Sequence, residues 1–235
     1  MTGPAIRAVL LDVEGTTSAI SHVRDVLFPY ARERIDGWLR SGRPGVAELA
    51  AAVAAASGRP AAEAGDVLRD WTDRDVKAAP LKELQGMIWQ AGFAAGELTA
   101  HVYDDVPPAL RAWTGAGLAV HVYSSGSVAA QRAWFGHTQA GDLAPFLSRH
   151  FDIPAAGPKR DTASYLRIAR ALALRPAELV FLSDAREELD AARAAGLRTV
   201  GVSRPEDGSP DTGDHRAVTR FDRLDLLPGE VSHAV

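Results

Sequence analysis

The chain has 235 residues, of which 46% are hydrophobic and 24% charged, a composition typical of a globular protein with a sizeable core. Its 26 basic and 30 acidic residues give a formal net charge of -4, which argues against a nucleic-acid-binding protein. It contains no cysteine, which excludes disulfides, thiolate zinc sites and a cysteine nucleophile. No apolar run approaches the roughly 18 residues of a membrane span, and the N-terminal run does not resemble a signal peptide. We therefore expect a cytoplasmic protein without membrane or nucleic-acid partners.

Short apolar runs separated by helical patterns predict an α/β sheet. The run AIRAVLLDV, residues 5–13, is nearly continuous and rich in branched side chains, as in a strand buried on both faces of a parallel sheet. Phe151 is expected to open a strand, and further strands are predicted at 118–123, 178–182 and 199–202. Helices are predicted from about Asp105 to Gly115, Ser127 to Phe135, Asp161 to Leu172 and Arg186 to Ala195. This alternation is typical of parallel βαβ units.

Residues 26–96 break this rhythm, because the whole stretch has a helical pattern. About four helices are predicted there, and an apolar stripe recurs at roughly helical spacing, at Leu81, Leu84, Ile88 and Phe93. Such a block is far longer than a usual crossover between parallel strands. We therefore predict a helical domain at residues 18–100, inserted after the first strand of a core formed by residues 1–17 and 101–235. The polar segment 203–215 is predicted to be a surface loop.

Polar side chains follow the predicted strands at the points where the strands end. Asp12 and Glu14 lie two residues apart after the first strand, so both carboxylates can face the same side of an extended segment. Hydroxyl, ammonium and carboxylate groups follow the later strands, at Ser124, Ser125, Lys159 and Asp184. Because ligands of open parallel sheets bind outside the carboxyl ends of the strands, these groups are expected to converge on one crevice.

This combination of groups favours a site for Mg²⁺ and a phosphate monoester. Oxygen ligands without histidine or cysteine suit a hard cation, and Mg²⁺ is commonly held by one or two carboxylates together with phosphate oxygens. An ionised aspartate can attack phosphorus once a cation and an ammonium offset the repulsion between the two anions. Hydroxyl groups and backbone N–H groups after the second strand can hold the phosphate oxygens.

Each of these residues also has a local explanation when it is considered alone. Asp12 before a glycine turn is a common turn former, and an isolated lysine such as Lys159 is usually exposed. Ser127 is predicted to cap the following helix. Acidic side chains near the start of a helix are stabilised by the helix dipole, and such residues commonly lie on the surface. Surface positions are therefore predicted for Glu187, Glu188 and Asp190. Structural roles are predicted for Trp89, Phe93, His101, His121, His137 and His150.

The order of these motifs along the chain resembles that of the haloacid-dehalogenase-like phosphohydrolases. The shared features are DVEGTT at 12–17, the SSGS turn at 124–127, the isolated Lys159 and the Asp184 turn. Within that superfamily, the chain resembles the enolase-phosphatases, or acireductone synthases, from Val9 to about Pro205. The longer segments behind this resemblance are LFPYARE, LKELQGMIWQAGF, HVYSSGSVAAQRAWFGHTQAGDL, HFD and FLSDAREELDAA.

The resemblance implies a Rossmann-like parallel sheet core with helices on both faces and an inserted α-helical cap. It implies the conversion of 5-methylthio-2,3-dioxopentyl phosphate to an enol, then to acireductone and phosphate, with one Mg²⁺ per subunit. By this resemblance, Asp12 is the nucleophile that forms an aspartyl-phosphate, and Asp12, Glu14 and Asp184 hold the metal. Glu14 is also the candidate base for enolisation. Substrate oxygens are expected to be bound by Ser124, Ser125 and Lys159.

Other functions compete for the same residues. The sequence leaves open a generalist phosphomonoesterase acting on sugar or nucleotide phosphates, because the cap decides the substrate in such an architecture. Dehalogenation is disfavoured, since it needs no metal and Glu14 with Asp184 supplies a metal site. A non-catalytic scaffold is disfavoured because Asp12, Lys159 and Asp184 are all present. The expected partner is a small phosphorylated diketone, and a monomer is expected.

Overall fold

The computed structural model describes residues 4–224 and 226. The described residues divide into two compact units, one formed by the segments up to residue 20 and from residue 100 onward, and the other by residues 21–99. The first unit contains a six-stranded sheet, and the second is helical. Among the described residues, no helix has both the length and the apolar character that crossing a membrane requires.

Every neighbouring pair of strands in the sheet is parallel, in the spatial order β3-β2-β1-β4-β5-β6. The strands are β1 (Ala8–Leu11), β2 (Ala119–Tyr123), β3 (Arg149–Phe151), β4 (Leu179–Ser183), β5 (Arg198–Val202) and β6 (Ala217–Val218). All residues of the central strand β1 are buried, as its continuous apolar sequence predicts. In the register of the sheet, Leu10 pairs with His121 on one side and Phe181 on the other. The predicted parallel α/β fold is therefore confirmed.

Two details of the sheet differ from the sequence predictions. Phe151 ends β3, so the expectation that it opens a strand is wrong. The reason is local, because the Asp152 side chain accepts a hydrogen bond from the Ala155 backbone N–H at 3.0 Å and starts a short helix. The sequence also gives no indication of β6, since two residues are too few to form a periodic pattern. Its Val218 carbonyl accepts a hydrogen bond from the Ser203 backbone N–H at 2.9 Å.

The first five α-helices lie in the helical unit or lead into it. They are α1 (Ile20–His22), α2 (Phe28–Leu39), α3 (Val46–Ser57), α4 (Ala64–Asp73) and α5 (Ala79–Ala94). A π-helical turn, Val23–Leu27, joins α1 to α2, and a 3-10 turn, Ala61–Glu63, precedes α4. The apolar stripe predicted on α5 is buried, and three of its residues, Leu81, Leu84 and Ile88, belong to a core that the unit builds from its own helices.

The remaining helices surround the sheet. They are α6 (Val106–Gly115), α7 (Val128–Gly136), α8 (Ile153–Ala156), α9 (Thr162–Ala171) and α10 (Arg186–Ala194). Short 3-10 turns lie at Ala144–Phe146, Pro176–Glu178, Pro205–Asp207 and Phe221–Arg223. The predicted cap of α7 is confirmed, because the Ser127 side chain accepts a hydrogen bond from the Ala130 backbone N–H at 3.2 Å. Asp161 caps α9 in the same way through the Ala163 N–H at 2.9 Å.

Candidate active site

The strand order of the sheet brings the ends of three strands together. β1 lies between β2 and β4, and the chain moves outward from β1 in both directions. Asp12 directly follows β1, and its backbone N–H donates to the Leu182 carbonyl of β4 at 3.0 Å. Ser124 follows β2, and Asp184 follows β4. Open parallel sheets bind ligands at such a switch point, outside the carboxyl ends of the strands.

A tight turn follows Asp12 and sets the spacing of the site. The Val13 carbonyl accepts the Thr17 backbone N–H at 3.0 Å, which closes the turn. Gly15 within it has a φ of +75°, a conformation that side-chain-bearing residues rarely adopt. A Cβ atom added to Gly15 would lie 2.7 Å from the Cγ atom of Asp184. Glycine at this position therefore permits the Asp184 carboxyl group to lie against the turn.

The Thr16 hydroxyl connects the turn after β1 with the turn after β4. It accepts a hydrogen bond from the Asp184 backbone N–H at 3.0 Å and makes a long one, 3.5 Å, to the Asp12 Oδ2 atom. Thr16 is fully buried. Because one hydroxyl contacts both segments, the position of the Thr16 residue helps to fix the distance between the two aspartates.

Lys159 forms ion pairs with two carboxylates of the site. Its Nζ atom contacts Asp12 Oδ1 and lies 2.6 Å from Glu188 Oε2. The Lys159 side chain is only 10% exposed, whereas a lysine considered alone is expected to be exposed. The structure therefore brings Asp12 and Lys159 together across 147 positions of sequence.

Three hydroxyl groups hold the backbone of the loop that presents Lys159. Tyr123 donates to the Gly157 carbonyl at 2.7 Å, Ser164 to the Pro158 carbonyl at 2.8 Å, and Tyr165 to the Lys159 carbonyl at 2.7 Å. Buried carbonyl groups need such partners, and these bonds fix the direction of the lysine side chain. The sequence does not identify these residues, since nothing in it relates β2 and α9 to the loop.

Glu188 is a member of the site, and its prediction as a surface acid is wrong. Its side chain is 14% exposed, and besides Lys159 it accepts a hydrogen bond from the Ser183 hydroxyl at 3.1 Å. The neighbouring Glu187 is exposed, as predicted. Glu188 lies four residues after Asp184 in the first turn of α10, and this spacing is the signal that could have identified it.

Burial and mutual repulsion shift the acidities of the site. The pKa of Asp184 is raised by burial first, and then by the negative charges of Asp12 and Glu188. The pKa of Glu188 is raised for the same reasons, burial and then Asp12. Burial lowers the pKa of Lys159, but Asp12 and Glu188 together outweigh it, so that its pKa is raised on balance. Lys159 is therefore a permanent cation.

The other predicted site residues differ in how deeply they lie. Ser124 is buried, and its hydroxyl accepts the Gly126 backbone N–H at 3.2 Å. Ser125 is exposed on the same turn. Glu14 is also exposed, and its backbone forms an isolated bridge with Ser18. Ser125 and Glu14 follow the same strand ends as Ser124 and Asp12 but present their side chains to solvent.

The donor set fits a hard divalent cation. Asp12, Asp184 and Glu188 place three carboxylates near one ammonium, which leaves an excess of negative charge in a poorly solvated place. Mg²⁺ prefers carboxylate oxygens and reduces this repulsion on binding. The pKa of Asp184 is raised by burial first, and the part of the shift that comes from Asp12 and Glu188 is the repulsion that a bound cation would reduce.

A second acidic cluster lies on α10 and the segment before β6. Ligand atoms of Asp190, Asp214 and His215 lie within 4.8 Å of one another. Arg193 already pairs with Asp190 at 2.7 Å and with Asp214 at 2.8 Å. Both nitrogens of His215 are also engaged, by Thr199 and by Asp190. These contacts are those of an ion-pair network on the outside of the sheet unit.

Comparison with known proteins agrees with this geometry. Residues 6–196 match the family model of the haloacid dehalogenase-like hydrolases. The enolase-phosphatase E1 of Streptomyces avermitilis is 53% identical over 225 residues, which span 92% of this chain and 93% of the relative. That of Nocardia farcinica is 49% identical over 229 residues, or 96% of this chain and 99% of the relative. The solved structure of the UTR4 protein of Saccharomyces cerevisiae is similar to this chain, with a TM-score of 0.78 and 31% sequence identity. The match covers 93% of this chain and 100% of that one.

Proposed function

We propose that this chain, which belongs to the haloacid dehalogenase-like hydrolases and within them to the enolase-phosphatases, converts 5-methylthio-2,3-dioxopentyl phosphate to acireductone and phosphate. This reaction is a step of methionine salvage. It requires two kinds of chemistry, the removal of a proton beside a carbonyl group and the hydrolysis of a phosphate ester.

One observation supports the phosphatase step most directly. The buried Asp12 carboxylate pairs with the Lys159 ammonium, and the Thr16 hydroxyl ties it to the segment of Asp184. This arrangement presents an ionised oxygen nucleophile beside fixed positive charge, which a dianionic phosphate ester requires. Because Lys159 stays charged, it can offset the repulsion between Asp12 and the incoming phosphate.

In the proposed transfer, an Asp12 carboxylate oxygen forms a bond to phosphorus while the ester P–O bond breaks. The electron pair of that bond leaves with the enol oxygen, which takes up a proton. A water molecule then forms a bond to phosphorus in the aspartyl-phosphate, the Asp12 oxygen leaves with its electron pair, and inorganic phosphate is released. The water gives up a proton, which balances the one that the enol oxygen takes up. Asp12 is thus regenerated.

We propose Asp12, Glu14 and Asp184 as the residues that hold one Mg²⁺, with Glu188 remaining paired with Lys159 beside them. When bound, the ion would supply positive charge to the phosphate oxygens and relieve the repulsion among the acids. Asp184 suits this role because its carboxyl group lies against the Gly15 turn, beside the nucleophile's segment. The acidic cluster at Asp190 is already neutralised by Arg193 and is not proposed for this ion.

The substrate's oxygens are proposed to contact Ser124, Ser125 and Lys159. Ser125 is exposed, so its hydroxyl can reach a ligand, while the buried Ser124 shapes the turn of backbone N–H groups that follows β2. Glu14 is proposed as the base that removes the proton in the enolisation step. Its exposure is compatible with contact to a bound substrate.

The helical unit is proposed to act as the cap that decides which phosphate ester is accepted. It has its own apolar core, so its surface can vary without disturbing the sheet. A monomeric state and a cytoplasmic location remain predictions of the sequence.

The two steps can be separated by isotope exchange. Hydrogen–deuterium exchange at the substrate carbon and phosphate release are measured in wild-type, Asp12→Asn and Glu14→Gln proteins. We expect Asp12→Asn to abolish phosphate release and retain exchange, and Glu14→Gln to lose exchange. Full exchange in Glu14→Gln would remove Glu14 as the base. Equal kcat/KM for common sugar or nucleotide phosphates would favour a generalist phosphatase instead.

A further inference from the structure

A fully buried arginine lies behind the candidate active site. Arg204, in the loop after β5, is the largest of the fully buried side chains among the described residues, and it is 2% exposed. Its Nη1 atom donates to both oxygens of the buried Asp105 carboxylate, at 3.0 and 2.9 Å. The guanidinium carbon lies 4.2 Å from the centroid of the Tyr103 ring and 4.7 Å from that of Phe221.

Arg204 also contacts the turn that follows the proposed nucleophile. Its Nε atom donates to the Thr16 carbonyl at 2.9 Å. The hydroxyl of the same threonine joins the Asp184 backbone N–H to the Asp12 carboxylate. Thr16 therefore contacts the Arg204 guanidinium through its carbonyl group, and the Asp12 and Asp184 segments through its hydroxyl group.

Stability alone gives a poor reason for a charge in this position. Burying an ion pair costs about as much as the pair returns, and apolar side chains of similar volume are often as stable or more so. The Nη2 atom of Arg204 is buried without a hydrogen-bond partner among the described residues, which adds to the cost. What the arginine provides that an apolar residue cannot is directed donors, from Nε to the Thr16 carbonyl and from Nη1 to the Thr219 carbonyl at 3.1 Å, and only the first of these reaches the turn after β1.

A second contact from the same loop fixes the far end of this segment. Asp207 accepts the Ile20 backbone N–H at 3.0 Å and the Tyr103 hydroxyl at 2.6 Å. Arg204 and Asp207 thus hold the stretch from Thr16 to Ile20 at two points.

We propose that Arg204 is a positioning residue, which acts through Thr16 to hold the Asp12 and Asp184 segments at their working separation. The proposal rests on the proposed phosphatase function. It assigns to the loop after β5 a role in the reaction, although this loop supplies none of the residues that would touch the substrate.

The proposal is tested by a double-mutant cycle of Arg204→Lys and Thr16→Val. Lysine keeps the charge beside Asp105 and loses the Nε donor, while valine keeps the shape of threonine and loses the hydroxyl. We measure kcat, KM and, by calorimetry, the Mg²⁺ dissociation constant of each protein. Each single variant should lower kcat by up to about 100-fold, weaken Mg²⁺ binding and leave KM nearly unchanged. Thr16→Ser, which keeps the hydroxyl, should remain near wild type.

The double variant decides the question. If Arg204 acts through Thr16, kcat and Mg²⁺ affinity of the Arg204→Lys, Thr16→Val protein equal those of the more impaired single variant. Effects that multiply would show that Arg204 acts elsewhere and overturn the proposal. A wild-type protein that neither binds Mg²⁺ nor releases phosphate would refute the proposed function itself, and the positioning role with it.

A second variant separates positioning from folding. The Arg204→Met, Asp105→Leu protein replaces the buried pair by apolar side chains but removes partners of the Thr16 and Thr219 carbonyls and of the Phe221 backbone N–H. It is therefore expected to melt somewhat below the wild-type temperature and to remain folded at the assay temperature. We expect it to have the same low kcat as Arg204→Lys. A wild-type value of kcat in this protein would contradict the positioning role, and so would a wild-type value of kcat in the Arg204→Lys protein.

Discussion

At the carboxyl end of β1, one ammonium faces three carboxylates in a place that water reaches poorly. Lys159 contacts Asp12 and Glu188, and the Asp184 carboxyl lies against the neighbouring turn. Burial first, and then the neighbouring negative charges, raise the pKa of Asp184 and Glu188, and the excess of negative charge favours a divalent cation.

Glu188 and its neighbour Glu187 offer a matched pair of substitutions. Glu188→Gln removes one of the two carboxylates that hold Lys159, so we expect kcat for phosphate release to fall by about 10-fold or more. Glu187→Gln changes an exposed residue of the same type and should leave kcat within about twofold of wild type. Steady-state kinetics on both proteins check this, and equal kcat values would show that the ion pair has no functional role.

Gly15 and Gly58 form a second pair, because both have positive φ angles, +75° and +72°. Alanine at either position should lower the free energy of unfolding by about 1 kcal/mol through backbone strain. Only at Gly15 would the new Cβ also displace the Asp184 carboxyl, since apart from chain neighbours no atom of the described residues lies within 4 Å of a Cβ at Gly58. We therefore expect Gly15→Ala alone to lose Mg²⁺ affinity in calorimetry. Similar Mg²⁺ affinity in the two variants would contradict the packing of Asp184 against the turn.

Candidate site residues could be predicted where they directly follow a predicted strand. Asp12, Ser124 and Asp184 each follow an apolar run, and the parallel sheet places such ends together. Glu188 was missed because acids near a helix start are common on surfaces, and Arg204 because a single arginine in a polar loop gives no sign of burial. Pairings between distant segments depend on packing, which one sequence does not show.

Among the elements, β2 contains an unusual buried histidine. His121 is 4% exposed, and its Nδ1 atom has no hydrogen-bond partner among the described residues. Burial first, then the positive charges of Arg149 and His150, lower its pKa from 6.5 to about 4. The imidazole is therefore neutral in the folded protein at neutral pH.

This histidine should make stability depend on pH. His121 binds a proton more tightly in the unfolded chain than in the folded protein. Its contribution to the free energy of unfolding is therefore complete above pH 6.5 and is lost as the pH falls toward about 4. The expected loss is up to about 1.4 kcal/mol for each pH unit in that range. Urea unfolding of wild-type and His121→Val proteins at pH 7 and pH 5 checks this, and valine should reduce the difference between the two pH values. An unchanged difference would show that His121 is not the group responsible.

The elements themselves follow the sequence wherever a long pattern exists. The stripe on α5 and the run of β1 were predictable because several turns or residues repeat the same period. β6 has only two residues, and β3 is cut short by the cap that Asp152 provides. Short elements are determined by neighbours and caps, so they escape a reading based on periodicity.

At the scale of the whole molecule, a sheet unit supplies the acids and a helical unit interrupts the chain between β1 and α6. The interruption is visible in the sequence because a helical pattern replaces the βαβ rhythm. The family membership follows from relatives about half identical over nearly the full chain. We propose that the choice of substrate within that family depends on the helical unit's surface, which the sequence pattern does not describe.

We propose that the acids after β1 and β4 and the ammonium of Lys159 perform a Mg²⁺-dependent conversion of the diketone phosphate. The most direct measurement follows acireductone and inorganic phosphate together, in one reaction with the purified protein. We predict that both products form in equal amounts and that a chelator stops both. Phosphate release without acireductone, or full activity in the presence of the chelator, would contradict the claim.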